Sequence, residues 1–384
     1  MNETRIMTIG EVCATISDTY RAKADEVTLI NTSDVLEGKV LNHERVPNKE
    51  LKGQFKKTFK KNDILYSEIR PQNKRFAFVD FEPVDYIAST KLMVLRADTS
   101  KVLPMYLYYY LKSAPVIAEL QMLAETRSGT FPQITFTELS NLTIPVPSIS
   151  EQEAIVATIK CMEDRIDCNA KINDNLQQQA AALFANFYDQ TETEVGFTEI
   201  IQILGGGTPK TGESSYWNGN IPFFTPKDVG LPYTLTTEKT ITEEGLAHCN
   251  SRLYPINTVF VTARGTVGKV GLPGVPMAMN QSCYALIGKD THQLLVYFYT
   301  LKAVDRLKHK ASGAVFDAIT TRDFEAENVK KLSNDDAKAF LDVAKPIYQA
   351  VLSNSIENLR LATLRDSLLP KLMSGEIDAS GIQL

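Results

Sequence analysis

Two glycine-free segments, from Glu151 to Tyr188 and from about Asp335 to Lys371, repeat one seven-residue pattern. In the first, one row holds Ile155, Met162, Asn169, Leu176 and Leu183, and the other holds Ile159, Ile166, Asn173, Ala180 and Phe187. In the second, the rows are Phe340, Ile347, Asn354, Leu361 and Leu368, then Ala344, Val351, Asn358, Arg365 and Leu372. Apolar or neutral residues at this spacing, with Arg365 the one charged member, line one stripe of a helix that packs along a second helix. This feature constrains the fold most, because so long a stripe must be covered. Both seams carry two asparagines at mid-length, where leucine would be more stable. If the helices run antiparallel, the middle of each faces the middle of the other, so the four amides hydrogen-bond together and penalise slipped registers. The alternative, two weakly seamed helices each packed on its own domain, leaves the matching asparagines unexplained.

The segments before each helix repeat as well, and a duplicated architecture fixes domain boundaries that local propensity does not. Leu65 to Arg70 (LYSEIR) resembles Val259 to Arg264 (VFVTAR), each reading as a strand that ends in arginine. Leu107 to Lys112 (LYYYLK) resembles Tyr297 to Lys302 (YFYTLK), each at a helix start, and Ser128-Gly129-Thr130 resembles Ser312-Gly313-Ala314. The order is the same in both halves. The expected fold is therefore α+β, with two globular domains joined by two long antiparallel coiled-coil helices. The expected boundaries are 1–147 for the first domain, 148–190 for a central helix, 191–333 for the second domain and 334–384 for a distal helix. Pro346 reads as lying close to the start of the distal helix, where a missing N–H costs less, and Pro370 with Gly375 as marking its end.

A chain of 384 residues that is 43% hydrophobic is too long for one ordinary core and too apolar to be disordered. The start, MNETRIMTIGEV, has no basic flank followed by an apolar run, and no window reaches the ~18 uncharged apolar residues of a membrane span, so no membrane partner and a cytoplasmic location are expected. Five cysteines, Cys13, Cys161, Cys168, Cys249 and Cys283, are odd in number and lack metal-ligand spacing, so neither a disulfide framework nor a metal site is expected. The net charge of −5 opposes nucleic-acid binding only for a uniform sphere. Between Lys49 and Arg75, nine basic residues stand against three acidic ones, a local net of +6. That segment reads as a phosphate-following stretch or, equally, a solvated basic face.

Two signatures then carry a family resemblance. One is Gly206-Gly207-Thr208-Pro209-Lys210, followed by Tyr216-Trp217-Asn218-Gly219-Asn220-Ile221-Pro222-Phe223 and Thr225-Pro226-Lys227-Asp228. The other is Leu364-Arg365-Asp366-Ser367-Leu368-Leu369-Pro370-Lys371-Leu372-Met373-Ser374-Gly375-Glu376-Ile377. With them, the chain resembles the specificity subunits of type I restriction-modification systems over nearly its whole length. The first domain departs from the first signature: it opens with Ile9-Gly10-Glu11-Val12 and carries Ile30-Asn31-Thr32-Ser33-Asp34-Val35-Leu36-Glu37-Gly38, which suggests that the halves read different bases. The resemblance implies that each globular domain is a target-recognition domain reading one part of a split target in double-stranded DNA. It also implies that the helices space the domains and dock two methyltransferase subunits, with restriction subunits in the full complex. Helices of about 33 residues are ~50 Å long at 1.5 Å per residue, against ~34 Å for one duplex turn.

No catalytic constellation is visible. Gly205 to Gly212 lacks the Gly-Lys-Ser/Thr ending of a P-loop, since Glu213 follows Gly212, and Gly205-Gly206-Gly207 reads as a tight loop that needs glycine for its backbone angles. His43, His248, His292 and His309 have neither zincin spacing nor adjacent carboxylates. An adenine methyltransferase needs an Asn/Asp-Pro-Pro-aromatic loop and a glycine-rich cofactor turn, and neither occurs. The chain is expected to be non-catalytic and to hold no cofactor, with S-adenosylmethionine on the partner methyltransferase. A free-standing methyltransferase or nuclease, and a scaffold that binds other helices without DNA, are the rival readings.

Candidate DNA contacts lie in loops after the repeated strands. They are Arg70, Lys74 and Arg75 in the first domain and Arg264 and Lys269 in the second. Arginine reads guanine O6 and N7 bidentately and lysine more often meets phosphate, although Arg70 and Arg264 could equally brace loops. Asn280 and Gln281 are candidates for adenine, and Lys91, Arg127, Thr130, Lys210, Lys227 and Arg322 for the backbone. Trp217 reads as an anchor of its loop, and Tyr106, Tyr108, Tyr109 and Tyr110 as helix core and boundary.

Overall fold

The computed structural model describes residues 4–49, 53–126, 132–230, 232–310 and 318–379. Arg127, Thr130 and the segments Ser128–Thr130 and Ser312–Ala314 lie outside them. The chain divides into two compact units, Met1–Asp164 with Leu361–Leu384, and Arg165–Arg360. The division runs through both long helices, so each unit holds one globular domain and a stretch of each helix.

The central helix spans Ile149–Gln190 and the distal helix Asn334–Ser374. Each starts at a serine cap. Ser148 donates its backbone N–H and its hydroxyl to Glu151 at 2.9 and 2.7 Å, and the Ser333 hydroxyl accepts the Asp336 N–H at 3.1 Å while donating to its carboxylate at 2.7 Å. Such caps satisfy N–H groups that have no partner within the helix. The distal helix stops where Gly375 takes a left-handed φ of 76°. Both prolines lie inside this helix, so Pro346 is not near its start and Pro370 does not end it. The carbonyls that each proline leaves without a partner, those of Asp342 and Asp366, belong to exposed residues that water reaches.

Within each unit the two helices run antiparallel. In the second unit Asn169 Nδ2 donates to Asn358 Oδ1 at 2.9 Å, and Asn354 Nδ2 donates to Asn173 Oδ1 at 2.9 Å. Arg165 clamps Glu357 through two bonds of 3.0 and 3.1 Å, and Asn169 donates to the same carboxylate at 2.8 Å. Those bonds, Arg165 first, hold the Glu357 carboxyl below the ordinary glutamate range. In the first unit, Ile155 and Ile159 pack in one cluster with Leu369, Leu372 and Met373. Of the remaining seam residues, Phe340 and Val351 are buried, and Met162, Ile166, Leu176, Leu183, Ile347, Leu361 and Leu368 are half-buried. Toward the second domain the stripe rotates: Phe184 and Tyr188 are buried where Leu183 and Phe187 are only half so. The reason is aromatic packing, since the Phe184 ring lies 4.9 Å from Phe298 and 5.4 Å from Phe340.

Each globular domain has its own core sheet, and the two are alike in strand order. In the first its strand order is Cys13–Ile16, Leu92–Ala97, Ile64–Ser67, Phe76–Phe78; in the second it is Ile201–Gly205, Cys283–Gly288, Val259–Thr262, Val270–Pro273, Tyr233–Thr234. A second sheet stands beside each, built on Glu26–Ile30 with Tyr86–Ser89 in one domain and on Trp217–Phe224 with Ala278–Met279 in the other. Apolar strand residues face helices Pro104–Leu111 and Ala114–Glu125, or Gln293–Lys310, in one cluster per unit. The tyrosine run falls in that core, with Tyr106, Tyr108 and Tyr109 buried. Ladder pairing corrects the sequence alignment of the halves by one residue. Ile64 pairs with Leu95 as Val259 pairs with Leu286, so Ile64 and not Leu65 is the counterpart of Val259. Arg70 accordingly matches Gly265, and Arg264 matches Ile69. Of the five cysteines, Cys13 and Cys283 are buried, and burial pushes both thiols up to about 12.

Candidate nucleic-acid interface

Three loops of the second unit meet around a concavity of about 370 Å³ whose lining includes Lys227, Glu238, Lys239, Arg264 and Asn280. The first loop is the turn Thr225–Asp228. Thr225 donates its N–H and hydroxyl to Asp228 Oδ2 at 2.8 and 2.6 Å, and Asp228 Oδ1 accepts the Glu238 N–H at 2.8 Å. This lock presents Lys227, whose side chain is 81% exposed and pairs loosely with Glu238 at 3.8 Å. So exposed an ion pair contributes little, and the ammonium stays available to an anion.

The second loop follows the strand Val259–Thr262. Arg264 is exposed, its backbone N–H donates to Ser282 O at 3.3 Å, and the Thr266 hydroxyl ties the loop to Pro226 O at 3.1 Å. Gly265 and Gly268 take φ values of 83° and 73°, a region that side chains strain to enter. The third loop is Asn280–Ser282. Asn280 Oδ1 accepts the Ser282 N–H at 3.0 Å, and the Thr208 hydroxyl donates to Gln281 Oε1. Gly206 and Gly207 press on this loop and its surroundings: a Cβ would stand 2.1 Å from Asn280 O at the first and 2.6 Å from Asn250 N at the second. Neither has a positive φ, so these glycines are required for close approach rather than for backbone angles. Trp217 anchors the loop that carries these glycines and buttresses Asn280–Ser282, donating Nε1–H to Lys210 O at 3.1 Å and meeting Phe223 edge-on at 5.5 Å.

The first unit holds the same three loops with other side chains. Asn31–Asp34 takes the place of Thr225–Asp228: Asn31 N–H donates to Asp34 Oδ2 at 2.8 Å, and the preceding Ile30 pairs with Ala88 as Phe224 pairs with Met279. Glu68 O accepts the Ile134 N–H at 2.8 Å as Ala263 O accepts the Ile319 N–H at 2.9 Å. Ser89–Lys91 corresponds to Asn280–Ser282. Here Arg70 is exposed with a left-handed φ of 45°, and Lys91 Nζ lies 3.3 Å from both Glu68 Oε2 and Gln133 Oε1. Arg75 clamps the turn instead, donating to Ser33 O at 3.0 Å and Val35 O at 3.4 Å. Lys57 holds the third loop, donating to Thr90 O and Leu92 O at 3.0 and 2.7 Å, and burial lowers its pKa against the opposing pull of Glu68.

Of the sequence-derived candidates, the structure thus brings together Lys227, Arg264 and Asn280, with Gln281 adjacent, in one unit and Arg70 and Lys91 in the other. Lys74 pairs with Glu37 at 3.1 Å and lines a concavity with Lys112, Glu163 and Arg365, away from those loops. Lys269 lines another with Phe298 and Lys302. Lys210 is exposed in the buttressing loop, and Arg322 is exposed on the short helix Thr321–Glu325. Glu238, Lys239 and Lys57 were not singled out from the sequence. Lys57 contacts carbonyls more than 30 residues away, and no local pattern marks such a contact. Among the described residues there is no group of side chains able to hold a metal ion and no helix long and apolar enough to cross a membrane.

Comparison with known proteins places this geometry. Residues 1–178 and 192–330 both match the family described as type I restriction modification DNA specificity domain. The HindI specificity subunit of Haemophilus influenzae, a type I restriction enzyme component, is 29% identical over 98% of this chain and 100% of its own. A type I specificity subunit of Escherichia coli is 28% identical over 62% of this chain and 59% of its own. In fold, the chain is similar to the crystal structure of the type I restriction-modification S subunit from M. genitalium, with a TM-score of 0.61, 16% identity, and coverage of 97% and 96% of the two chains. The chain therefore belongs to the family of type I restriction-modification specificity subunits, the non-catalytic DNA-recognition components of those systems, and its two globular domains are target-recognition domains.

Proposed function

We propose that each recognition domain reads one half of a bipartite double-stranded DNA target through its three-loop face. In the second domain, Arg264 reads guanine, Asn280 with Gln281 reads adenine, and Lys227 meets phosphate. In the first, Arg70 and Lys91 occupy the corresponding loops. The paired helices dock two methyltransferase subunits, which bring S-adenosylmethionine, and restriction subunits join them in the full cytoplasmic complex. The observation that supports this reading is that one backbone arrangement of loops recurs in both domains with different side chains, as two readers of different bases require. Replacing residues 194–331 by the corresponding domain of another specificity subunit tests it. Methylation sequencing of a host expressing the hybrid is expected to show one half of the target changed and the other kept. Loss of both halves overturns it.

A further inference from the structure

We infer that Glu238 is a base-reading residue of the second recognition domain, accepting a hydrogen bond from the exocyclic amine of a cytosine. The inference rests on the reading face proposed above and adds to it the one acidic side chain that lines the concavity among the described residues. The other charged side chains around the concavity are Lys227, Lys239 and Arg264. A carboxylate there repels phosphate and lowers affinity for any duplex, so its presence is a cost unless it meets a donor. The backbone on both sides of Glu238 is pinned. Its own N–H donates to Asp228 Oδ1 at 2.8 Å, and the Thr237 hydroxyl accepts the Phe223 N–H at 3.1 Å while donating to Lys239 O at 2.6 Å. The side chain itself is 60% exposed, with Lys227 Nζ at 3.8 Å as its ion-pair partner. A rigid base with an exposed, loosely paired tip is what a specific contact needs.

The chemistry selects the base. A carboxylate only accepts hydrogen bonds. In the major groove, cytosine offers the N4 amine as its only polar group, whereas adenine sets the N7 acceptor beside its N6 amine and guanine offers two acceptors. Cytosine alone presents a donor with no acceptor beside it on the same base to repel the carboxylate. Lys227 and Lys239, which line the same concavity, offset the repulsion from the phosphates.

The test uses the full chain assembled with its methyltransferase subunits. The probes are duplexes in which each base pair of the half-site read by the second domain, mapped by methylation sequencing, is changed in turn. With E238A, the penalty for replacing one C·G pair is expected to shrink by ~10-fold to ~100-fold, the worth of one good base contact. With E238Q, the preference at that pair is expected to move toward A·T, because glutamine pairs with adenine N6 and N7. Unchanged penalties at every position in both variants overturn the inference. So does uniform weakening across all duplexes, which would make Glu238 only a brace for Lys227. A K227A/R264A double variant separates the two levels. If it leaves DNA affinity intact, the reading face itself is wrong; if it weakens binding while E238A leaves discrimination untouched, only the role of Glu238 falls.

Discussion

Basic side chains in this protein divide into those that hold the chain and those that face outward, and sequence spacing does not separate them. Arg75 and Lys57 both lie in the basic segment of the first domain, yet each spends its donors on two backbone carbonyls of a loop. Hydrogen bonds from charged donors are worth about 1.5 to 3 kcal/mol, enough to fix a turn. Lys227, by contrast, is largely exposed and only loosely paired. The two kinds respond differently to salt. Lys227→Ala is expected to lower the slope of log binding constant against log salt by about one, as the loss of one phosphate contact does. Arg75→Ala is expected to leave that slope unchanged while lowering stability by about 1 to 2 kcal/mol through the two carbonyls left without a partner. Binding titrations over a range of salt, with thermal unfolding alongside, check both. A fall in slope for Arg75→Ala would make it a phosphate contact.

At the scale of the element, the helix pair trades stability for register. Asn169 and Asn173 are 1% and 8% exposed and bond to Asn358 and Asn354, where an apolar pair would pack more tightly. Changing Asn169 and Asn173 to leucine leaves Asn358 and Asn354 without these partners, at ~1 to 3 kcal/mol each where water is kept out. Changing all four exchanges that loss for apolar packing, so stability is expected to return to or exceed that of the wild type, with alternative registers now open. The quadruple variant is then expected to tolerate altered spacers between the half-sites. Thermal unfolding and binding to duplexes of different spacer length measure both effects. Additive losses across the four changes, with spacer preference unchanged, would show that the asparagines do not set the register.

For the whole molecule, the compact units matter more than the helix boundaries. Each domain shares its core with its own stretch of the helices, and some of the contacts that join domain to helix differ in kind. In the first unit Tyr109 and Lys112 meet Glu163, with Arg365 3.7 Å from the same carboxylate. In the second, Phe184, Phe298, Phe340 and Tyr348 form an aromatic cluster with ring centroids 4.9 to 5.8 Å apart. A graft cut at 194 and 331 faces a foreign domain with Phe184, Phe340 and Tyr348, whereas one that carries 165–360 keeps the cluster whole. Misfitted aromatic cores cost about 1 to 3 kcal/mol. The longer graft is therefore expected to unfold several degrees higher than the shorter one while reading the same half-target, and calorimetry on the two hybrids checks it. Equal unfolding temperatures would show that the cluster does not couple domain and helix.

What could be read from the chain alone rests on local, periodic signals. The seven-residue rows gave the two helices, the matched asparagines gave their antiparallel pairing, and the repeated strand and helix segments gave the duplicated α+β plan. Trp217 as a loop anchor and the tyrosine run as core also follow from composition and spacing. Tertiary structure decided what depends on residues far apart in sequence. It shifted the strand alignment by one residue, so that Arg70 and Arg264 are not counterparts. It kept Pro346 and Pro370 inside a helix, because burial of Phe340, Ala344, Tyr348 and Val351 around the first, and of Leu369, Leu372 and Met373 around the second, outweighs the missing donors. It also turned the central stripe toward Phe184 and Tyr188, and it set Glu238 beside Lys227, Arg264 and Asn280. Periodicity reports which face of an element is covered, whereas only the packed chain determines which distant residues cover it.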